Sequence, residues 1–536
     1  MHQLIDVQSY GISPGDNRLN SYHLRHLLDS LRGQEGVVLQ FGPGDYHFYP
    51  DYAREETLYI SNHDEDSPKR LIFDLRGFRN LTLEGGGARF IFHPQCLPFY
   101  LDHTQGLVLR DFSMDYTRTS FSQGTILSIE PKRMRLAIDP VAYPHFVKNG
   151  QIFFTDEHFC NPLNNFLEFD SVRLAPVSGI HDLYVEPAFS PYHLVAEAEA
   201  DGVVALTLVN DTCFPAASRA DNIVVLRHNP RNNPGFYLTF AHDFTLEDVT
   251  VHTAAGIAFM AEHSGDILLR RFALRLPQGK GRVVTAEADA THFVCCFGTI
   301  ELDQCFFENQ LDDPSNIHGI YVRVAHVLAP DQIVVELVHP QHKGVPMFAA
   351  GDRLSLVDSK SLQALYEVSV RDCEFLNGDL QVVTLAAPLT ADLLASVVGL
   401  AAENLSYSPD VHIHDCIFQN NRARGLLLTS AGKVVIERNH FRVPGAAILL
   451  EGDASSWYES GATKDIQILD NTFTDCGDVP VWGKAVIQAT PSVARDLPPQ
   501  PYHQKLTVKG NTFTRCSQIF HLEHVGTFIE QNNAIL

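Results

Sequence analysis

One eight-residue pattern recurs along the chain. Apolar residues stand at positions 1, 3 and 8, an apolar, Cys or Asn residue stands at 6, and polar residues favour 2, 4 and 5. It reads LVLRDFSM at 107–114, FTLEDVTV at 244–251, ILLRRFAL at 267–274, IELDQCFF at 300–307, VSVRDCEF at 368–375, VHIHDCIF at 411–418, VVIERNHF at 434–441, IQILDNTF at 466–473 and LTVKGNTF at 506–513, with an early relative, LTLEGGGA, from Leu81. Alternation with period two marks a half-buried strand, and its break after position 3 predicts a strand, a bend and a second short strand. Successive octets start 26, 137, 23, 33, 68, 43, 23, 32 and 40 residues apart. The shortest spacing suits one turn of a parallel β-helix, in which each turn buries its apolar face only by stacking on the next. Position 6 runs Cys305, Cys373, Cys416, Asn439, Asn471, Asn511, which predicts an internal ladder of stacked amides and small thiols. These cysteines therefore read as core rather than as nucleophiles.

The two longest intervals exceed what loops fill. TILSIEPKRMRLAIDP and GVVALTLVND in the first, and RVAHVLAPDQIVVELVH and GDRLSLVD in the second, read as antiparallel hairpins. The expected architecture is all-β: a parallel β-helix with two inserted small β-barrel or sandwich domains. It divides into an N-terminal cap and first turns (1–116), insertion one (117–225), turns carrying the candidate site (226–320), insertion two (321–366) and C-terminal turns (367–536). SYHLRHLLDSLRG predicts one amphipathic helix that caps the open end of the solenoid.

Composition narrows the function. Hydrophobic residues make up 45% of the 536 residues and charged residues 19%, which suits a chain rich in buried strand. The net charge of −24 argues against nucleic acid or an anionic membrane as partner and is compatible with a neutral, hydroxyl-rich ligand such as a sugar. No run of eighteen apolar residues predicts a membrane span, and MHQLIDVQSYG has no signal-peptide pattern. The ten cysteines show no paired zinc spacing, and the adjacent Cys295 and Cys296 are poorly placed for a disulfide.

The repeat register then locates candidate chemistry. NQLDDPSNIHG at 309–319 carries Asp312 and Asp313, ordinary turn residues when read alone. Counting twelve residues past an octet start, or eleven back from the next, gives Gly256 in the 244 turn; the same counts give Asp312 and Asp289 in the next two. If LPQGKGRVV bulges out, Asp289 and Asp312 hold equivalent positions on turns about 4.8 Å apart. Crowded carboxyls raise at least one pKa, as a general acid needs, and paired carboxyls are the equipment of glycosidases. Solvent-facing or Ca²⁺-binding acids are the alternative. His292 and His318 flank the acids and could orient a carboxylate or bind a hydroxyl. Glu262, Arg270 and Arg282 come from neighbouring turns as candidate substrate contacts, and Trp457 and Trp482 are the two tryptophans, either of which could stack on a pyranose.

The segments DATHFVCC, NQLDDPSNIHG, YISNHDEDSPKR, RHNPRNNPG, RGLLLTSAGKVVIERNHF and SSWYESG resemble the α-1,3-galactosidases of glycoside hydrolase family 110 over nearly the whole chain. The resemblance implies a right-handed β-helix with two inserted β-barrels. It implies removal of terminal α-1,3-linked galactose from blood-group B or linear Gal-α-1,3-Gal glycans, with inversion, no cofactor and no metal. Carried over, the acidic triad falls on Asp289, Asp312 and Asp313, with Asp312 as general acid and the other two activating water. Pro314 and Cys295 depart from the family pattern, which leaves fine specificity open. The resemblance also implies an exported, periplasmic or secreted protein whose signal is absent from this sequence, with a cytoplasmic location the alternative, and the β-barrels offer surfaces for a homodimer. The competing readings are another β-helix carbohydrate enzyme of the polygalacturonase kind and a non-catalytic glycan-binding β-helix.

Overall fold

The computed structural model describes residues 3–63, 67–185, 193–229 and 231–536. Residues 64–66 of the YISNHDEDSPKR segment and Pro230 of RHNPRNNPG lie outside them. The octets stack as parallel rungs, each octet strand pairing with the same positions of the next: Ile267 opposite Ile300, Val411 opposite Val434, Ile466 opposite Leu506. A second parallel sheet runs along the other side through Phe236–Thr239, Phe259–Glu262, Thr291–Val294, Ser315–Ile320 and Leu426–Thr429. Between the two sheets lies one continuous apolar core.

The bend predicted inside each octet has a specific cause. The fifth residue is left-handed in every solenoid octet from 107 onward: Asp111, Asp248, Arg271, Gln304, Asp415, Arg438 and Asp470 have φ between 51 and 57°, and Gly510 has φ 72°. That conformation turns the strand through a corner, and Asp or Gly accepts it at low cost. Where Arg occupies it, the guanidinium pairs with the acid at the corner of the preceding rung. Arg271 Nε lies 2.6 Å from Asp248 and Arg438 Nε 3.0 Å from Asp415.

Position 6 forms the expected ladder. The backbone N–H of Cys416 donates to Asn439 Oδ1 at 2.9 Å, that of Asn439 to Asn471 Oδ1 at 2.9 Å, and that of Asn471 to Asn511 Oδ1 at 2.8 Å. The ladder continues one rung further, to Asn533, whose Oδ1 accepts from Asn511 N–H at 2.9 Å. FIEQNNAI at 528–535 is therefore one more octet, with polar residues enough at its surface to obscure the pattern. At position 8, Phe418, Phe441, Phe473 and Phe513 stack with ring centroids 4.9–5.1 Å apart.

Both insertions leave the solenoid register intact. Leu107 pairs directly with Phe244, and Ile300 with Val411. The first insertion builds an antiparallel sheet from Phe121–Glu130 to Ile223–Arg227 with a separate three-stranded sheet beside it. The second is a closed barrel running from Val322–Ala329 to Ala401–Asn404. This corrects the expected end at 366 and the assignment of VSVRDCEF to the solenoid. Residues Ala364–Phe375 are a barrel strand, antiparallel to Arg353–Val357 and Leu380–Leu385. A barrel strand and a solenoid strand share the two-residue alternation. Asp372, at position five, has no left-handed φ, and Cys373 lies outside the ladder, its sulfur facing Gln381 at 3.6 Å.

The helix Asn20–Leu31 places Leu24, Leu27, Leu28 and Leu31 in the core at the N-terminal end. No helix among the described residues is long and apolar enough to cross a membrane.

The ladder sets a stability expectation. Asn471→Ala removes the acceptor for two donors of Asn439, both buried, and should destabilise the chain by about 2 to 4 kcal/mol in urea unfolding. Arg515→Ala breaks an exposed, solvent-screened pair with Asp475 and should leave the unfolding midpoint nearly unchanged.

Candidate active site

The second sheet fixes where the acids meet. Thr291 lies opposite Ser315 and Ser315 opposite Leu426, so Asp289, Asp313 and Arg424 occupy one level on three consecutive rungs. The partner of Asp289 in register is thus Asp313 rather than Asp312, one residue away from the counting estimate. The segment before Asp289 does loop out: Ala254 pairs with Ala286 although the preceding strands end at Val251 and Leu274.

The three carboxyls line one open cavity of about 250 Å³. Asp289 and Asp313 are buried, Asp313 to 1% exposure, and Asp312 is partly buried, its side chain 13% exposed. Asp289 Oδ1 accepts the backbone N–H of Asp313 at 3.3 Å, and Asp313 Oδ1 accepts that of Arg424 at 2.8 Å. Three arginines surround Asp312: Arg231 Nη2 at 2.7 Å, Arg422 Nη1 at 3.8 Å and Arg424 Nη2 at 3.9 Å. Arg424 also lies 3.0 Å from Asp313. The first insertion anchors this cluster, because Arg422 pairs with Asp182 at 2.5 Å.

Charge divides the triad. Burial pushes Asp312 up, but the guanidiniums of Arg231, Arg422 and Arg424 outweigh it and hold its carboxyl below the usual range. Asp289 is pushed up to about 8 by burial and then by the charge of Asp312. Asp313 is also pushed up to about 8, by burial first, with Arg424 opposing and the two neighbouring carboxylates adding. Near neutral pH the free site holds an ionised Asp312 beside protonated neighbours. This is the reverse of the charge that a resting general acid at Asp312 would carry.

The other candidate residues separate into those that face the cavity and those that do not. His292 lines it, with Nδ1 2.6 Å from Asp289 Oδ2, and burial drives its pKa well down. Trp457 lines it too, half exposed, its ring beside His339 of the second insertion at 4.7 Å. His318 sits one layer behind, its Nε2 2.8 Å from that of His292. Glu262 does not reach the cavity. Its carboxylate is buried and accepts from Ser61 N–H and Oγ, both at 2.7 Å, and from Tyr237 OH at 2.9 Å. Arg270 lies on the other sheet, paired with Asp303 at 2.8 Å, and Arg282 ties the looped segment to Asp115 at 2.5 Å. All three are held outside the cavity, Arg270 and Arg282 by ion pairs and Glu262 by hydrogen bonds from Ser61 and Tyr237.

Several lining residues carry no signal in the octets: Arg231, Arg422, Arg424, Glu451 and Glu459 all lie in turns or second-sheet strands. Glu451 is pushed up to about 7, by burial first, with Arg424 opposing. Trp482 supports the arginines, its ring centroid 4.5 Å from Arg422 Cζ and 5.9 Å from Arg424 Cζ.

Family profiles described as GLAA-B beta-barrel domain I and GLAA-B beta-barrel domain II match residues 122–208 and 332–396. The chain is 31% identical over 519 residues to an alpha-1,3-galactosidase B of Phocaeicola vulgatus, covering 94% of this chain and 83% of that protein. It is 30% identical over 521 residues to an alpha-1,3-galactosidase A of Shewanella woodyi, covering 95% and 82%. Among solved structures, an exopolygalacturonase from Thermotoga maritima aligns at 9% identity and a TM-score of 0.40, covering 96% of this chain and 81% of that one.

The charge division predicts opposite stability effects for two inactivating changes. Asp312 has a lowered folded pKa, so its contribution is present above the unfolded value near 3.8 and lost as pH falls through the folded one. Asp312→Asn should therefore lower the denaturation midpoint at pH 7, with the difference vanishing in acid. Asp289, raised to about 8, takes up a proton on folding, so stability falls as pH rises from about 4 to 8. Asp289→Asn should raise the midpoint at pH 7 and more at pH 8. Activity should fall about 10²- to 10⁴-fold in both.

Proposed function

This chain belongs to the α-1,3-galactosidase family, and from that premise we propose that it removes terminal α-1,3-linked galactose from glycans as an exo-acting hydrolase. The observation that carries the reading is the acid cluster of Asp312 and the buried Asp289 and Asp313 on adjacent rungs, in a cavity with a tryptophan at its wall. Tyr184 of the first insertion and Asn62 of the N-terminal region also line the cavity, so segments outside the solenoid contribute to its wall. Trp457 offers an apolar face for the sugar ring, and the carboxylates and arginines offer hydrogen bonds to its hydroxyls.

Blood-group B and linear Gal-α-1,3-Gal glycans are the substrates the family resemblance supports, and inversion is the stereochemistry it supports. In an inverting reaction one carboxyl protonates the departing glycosidic oxygen while a second, ionised, takes a proton from the attacking water. A polygalacturonase-like activity would bring an anionic sugar to this cavity. With Asp289 and Asp313 holding protons, its three arginines still face four other acids, Asp312, Glu451, Asp453 and Glu459, so the lining has no excess of positive charge to attract a uronate.

The roles within the triad admit two readings. The family resemblance makes Asp312 the acid, which requires the resting proton to pass from Asp289 or Asp313 to Asp312 when substrate binds. The electrostatics of the free site favour Asp289 or Asp313 as donor, with Asp312 as the ionised group.

Incubation with Gal-α-1,3-Gal and with the blood-group B trisaccharide, followed by NMR, should show β-galactose first. α-Galactose first would overturn inversion, and no galactose from either, with a folded protein, would overturn the activity. A substrate with an activated leaving group separates the roles. The Asn variant of the true acid should keep most of its rate on that substrate, whereas the variant of the base should not.

A further inference from the structure

Behind the cavity runs a file of three buried groups whose protons can be counted. His318 Nδ1 lies 2.8 Å from the carbonyl oxygen of Gly319, which only accepts, so that nitrogen carries a proton. His318 Nε2 and His292 Nε2 are 2.8 Å apart, a contact that needs one proton between two nitrogens. His292 Nδ1 and Asp289 Oδ2 are 2.6 Å apart, a third contact needing a third proton. Two neutral imidazoles bring two protons. The file therefore holds one more proton than two neutral histidines and an ionised aspartate would. All three side chains are buried, and a neutral carboxyl beside neutral rings avoids the desolvation cost of an internal ion pair.

We propose that His292 and His318 are positioning residues that hold a proton on Asp289 and make it the proton store of the acid cluster. The role rests on the hydrolase reading above. The Gly319 carbonyl is a dead end for a proton, so the hydrogen-bonded file delivers the stored one through Asp289, which lines the cavity. The other oxygen of Asp289 is fixed by the Asp313 N–H, and Asp312, Asp313, Arg231 and Arg424 are the charged groups that face it. Glu459 Oε1, 3.7 Å from His318 Nε2, and His342 face the far end of the file.

The protons balance over a turnover. The glycosidic C–O bond breaks and its oxygen takes one proton from the cluster. The attacking water forms the new C–O bond and gives one proton to an ionised carboxylate. Redistribution among the three carboxyls restores the proton on Asp289, leaving no net change.

Two substitutions at His318 test this. His318→Gln keeps an oxygen acceptor for the His292 N–H and should retain the wild-type pH profile. His318→Leu removes that acceptor, so His292 can shift its proton to Nδ1 and donate to an ionised Asp289. The alkaline limb of kcat/KM, expected near the folded pKa of about 8, should then move down by roughly one pH unit or more. A merely structural role would lower the rate without moving the limb, and an unmoved limb in the Leu variant overturns the proposal. A readout that needs no catalysis keeps this separate from the hydrolase reading. In the infrared difference between the wild-type chain and Asp289→Asn at pH 7, one protonated-carboxyl carbonyl band should belong to the wild type alone, apart from the band that Asp313 gives in both. Absence of that wild-type band overturns the proposal whether or not His318→Leu folds. If the band is present and no galactose is released, the file stands and the hydrolase reading fails.

Discussion

Rung-on-rung stacking in register is the constraint on which everything else depends. A parallel β-helix places equivalent residues about 4.8 Å apart and repeats the placement as long as no rung slips. Two features prevent slippage. The left-handed residue at position five puts the corners at the same point, and in the C-terminal rungs, from Cys416 to Asn533, the Asn ladder at position six joins each rung to the next by a bond that a one-residue shift would break. Because these amides are buried, a shifted rung would also leave their polar atoms unsatisfied, which is costlier than the bond itself.

The site uses that rigidity. Asp289, Asp313 and Arg424 meet because their rungs stack, and like charges are held together by a scaffold that does not relax to separate them. The cost appears as raised carboxyl pKa values near 8, which keep Asp289 and Asp313 protonated near neutral pH. The arginines limit this cost at Asp312 and so divide one crowded cluster into ionised and protonated members. Additions to the solenoid complete the cavity. The first insertion clamps Arg422 through Asp182 and contributes Tyr184, while His339 of the second insertion backs Trp457.

The errors of register are informative. VSVRDCEF satisfied the octet pattern yet belongs to the barrel, because alternation reports a half-buried strand and not the sheet it joins. What separates the two is the corner residue, since Asp372 has ordinary φ where every solenoid octet from 107 onward is left-handed. The counting that placed Asp289 over Asp312 was off by one, because it ran back from Ile300 across a register shift, where the segment between Phe297 and Ile300 carries one residue more than its partner between Gly265 and Ile267.

By itself the sequence determined the solenoid, its ladder, the presence of two insertions and the three carboxyls, because each is a local pattern repeated at a fixed period. Only the tertiary structure decided the partners. Glu262, Arg270 and Arg282 are charges on neighbouring turns that fold onto Ser61 and Tyr237, Asp303 and Asp115, and no periodicity encodes those pairings. Arg231 and Arg422 reach Asp312 from segments 81 and 110 residues away in sequence, and Asp182 arrives from an inserted domain. A repeat fixes which residues stack, whereas the charge each acid carries depends on cations and burial supplied by distant chain, which a local pattern does not contain.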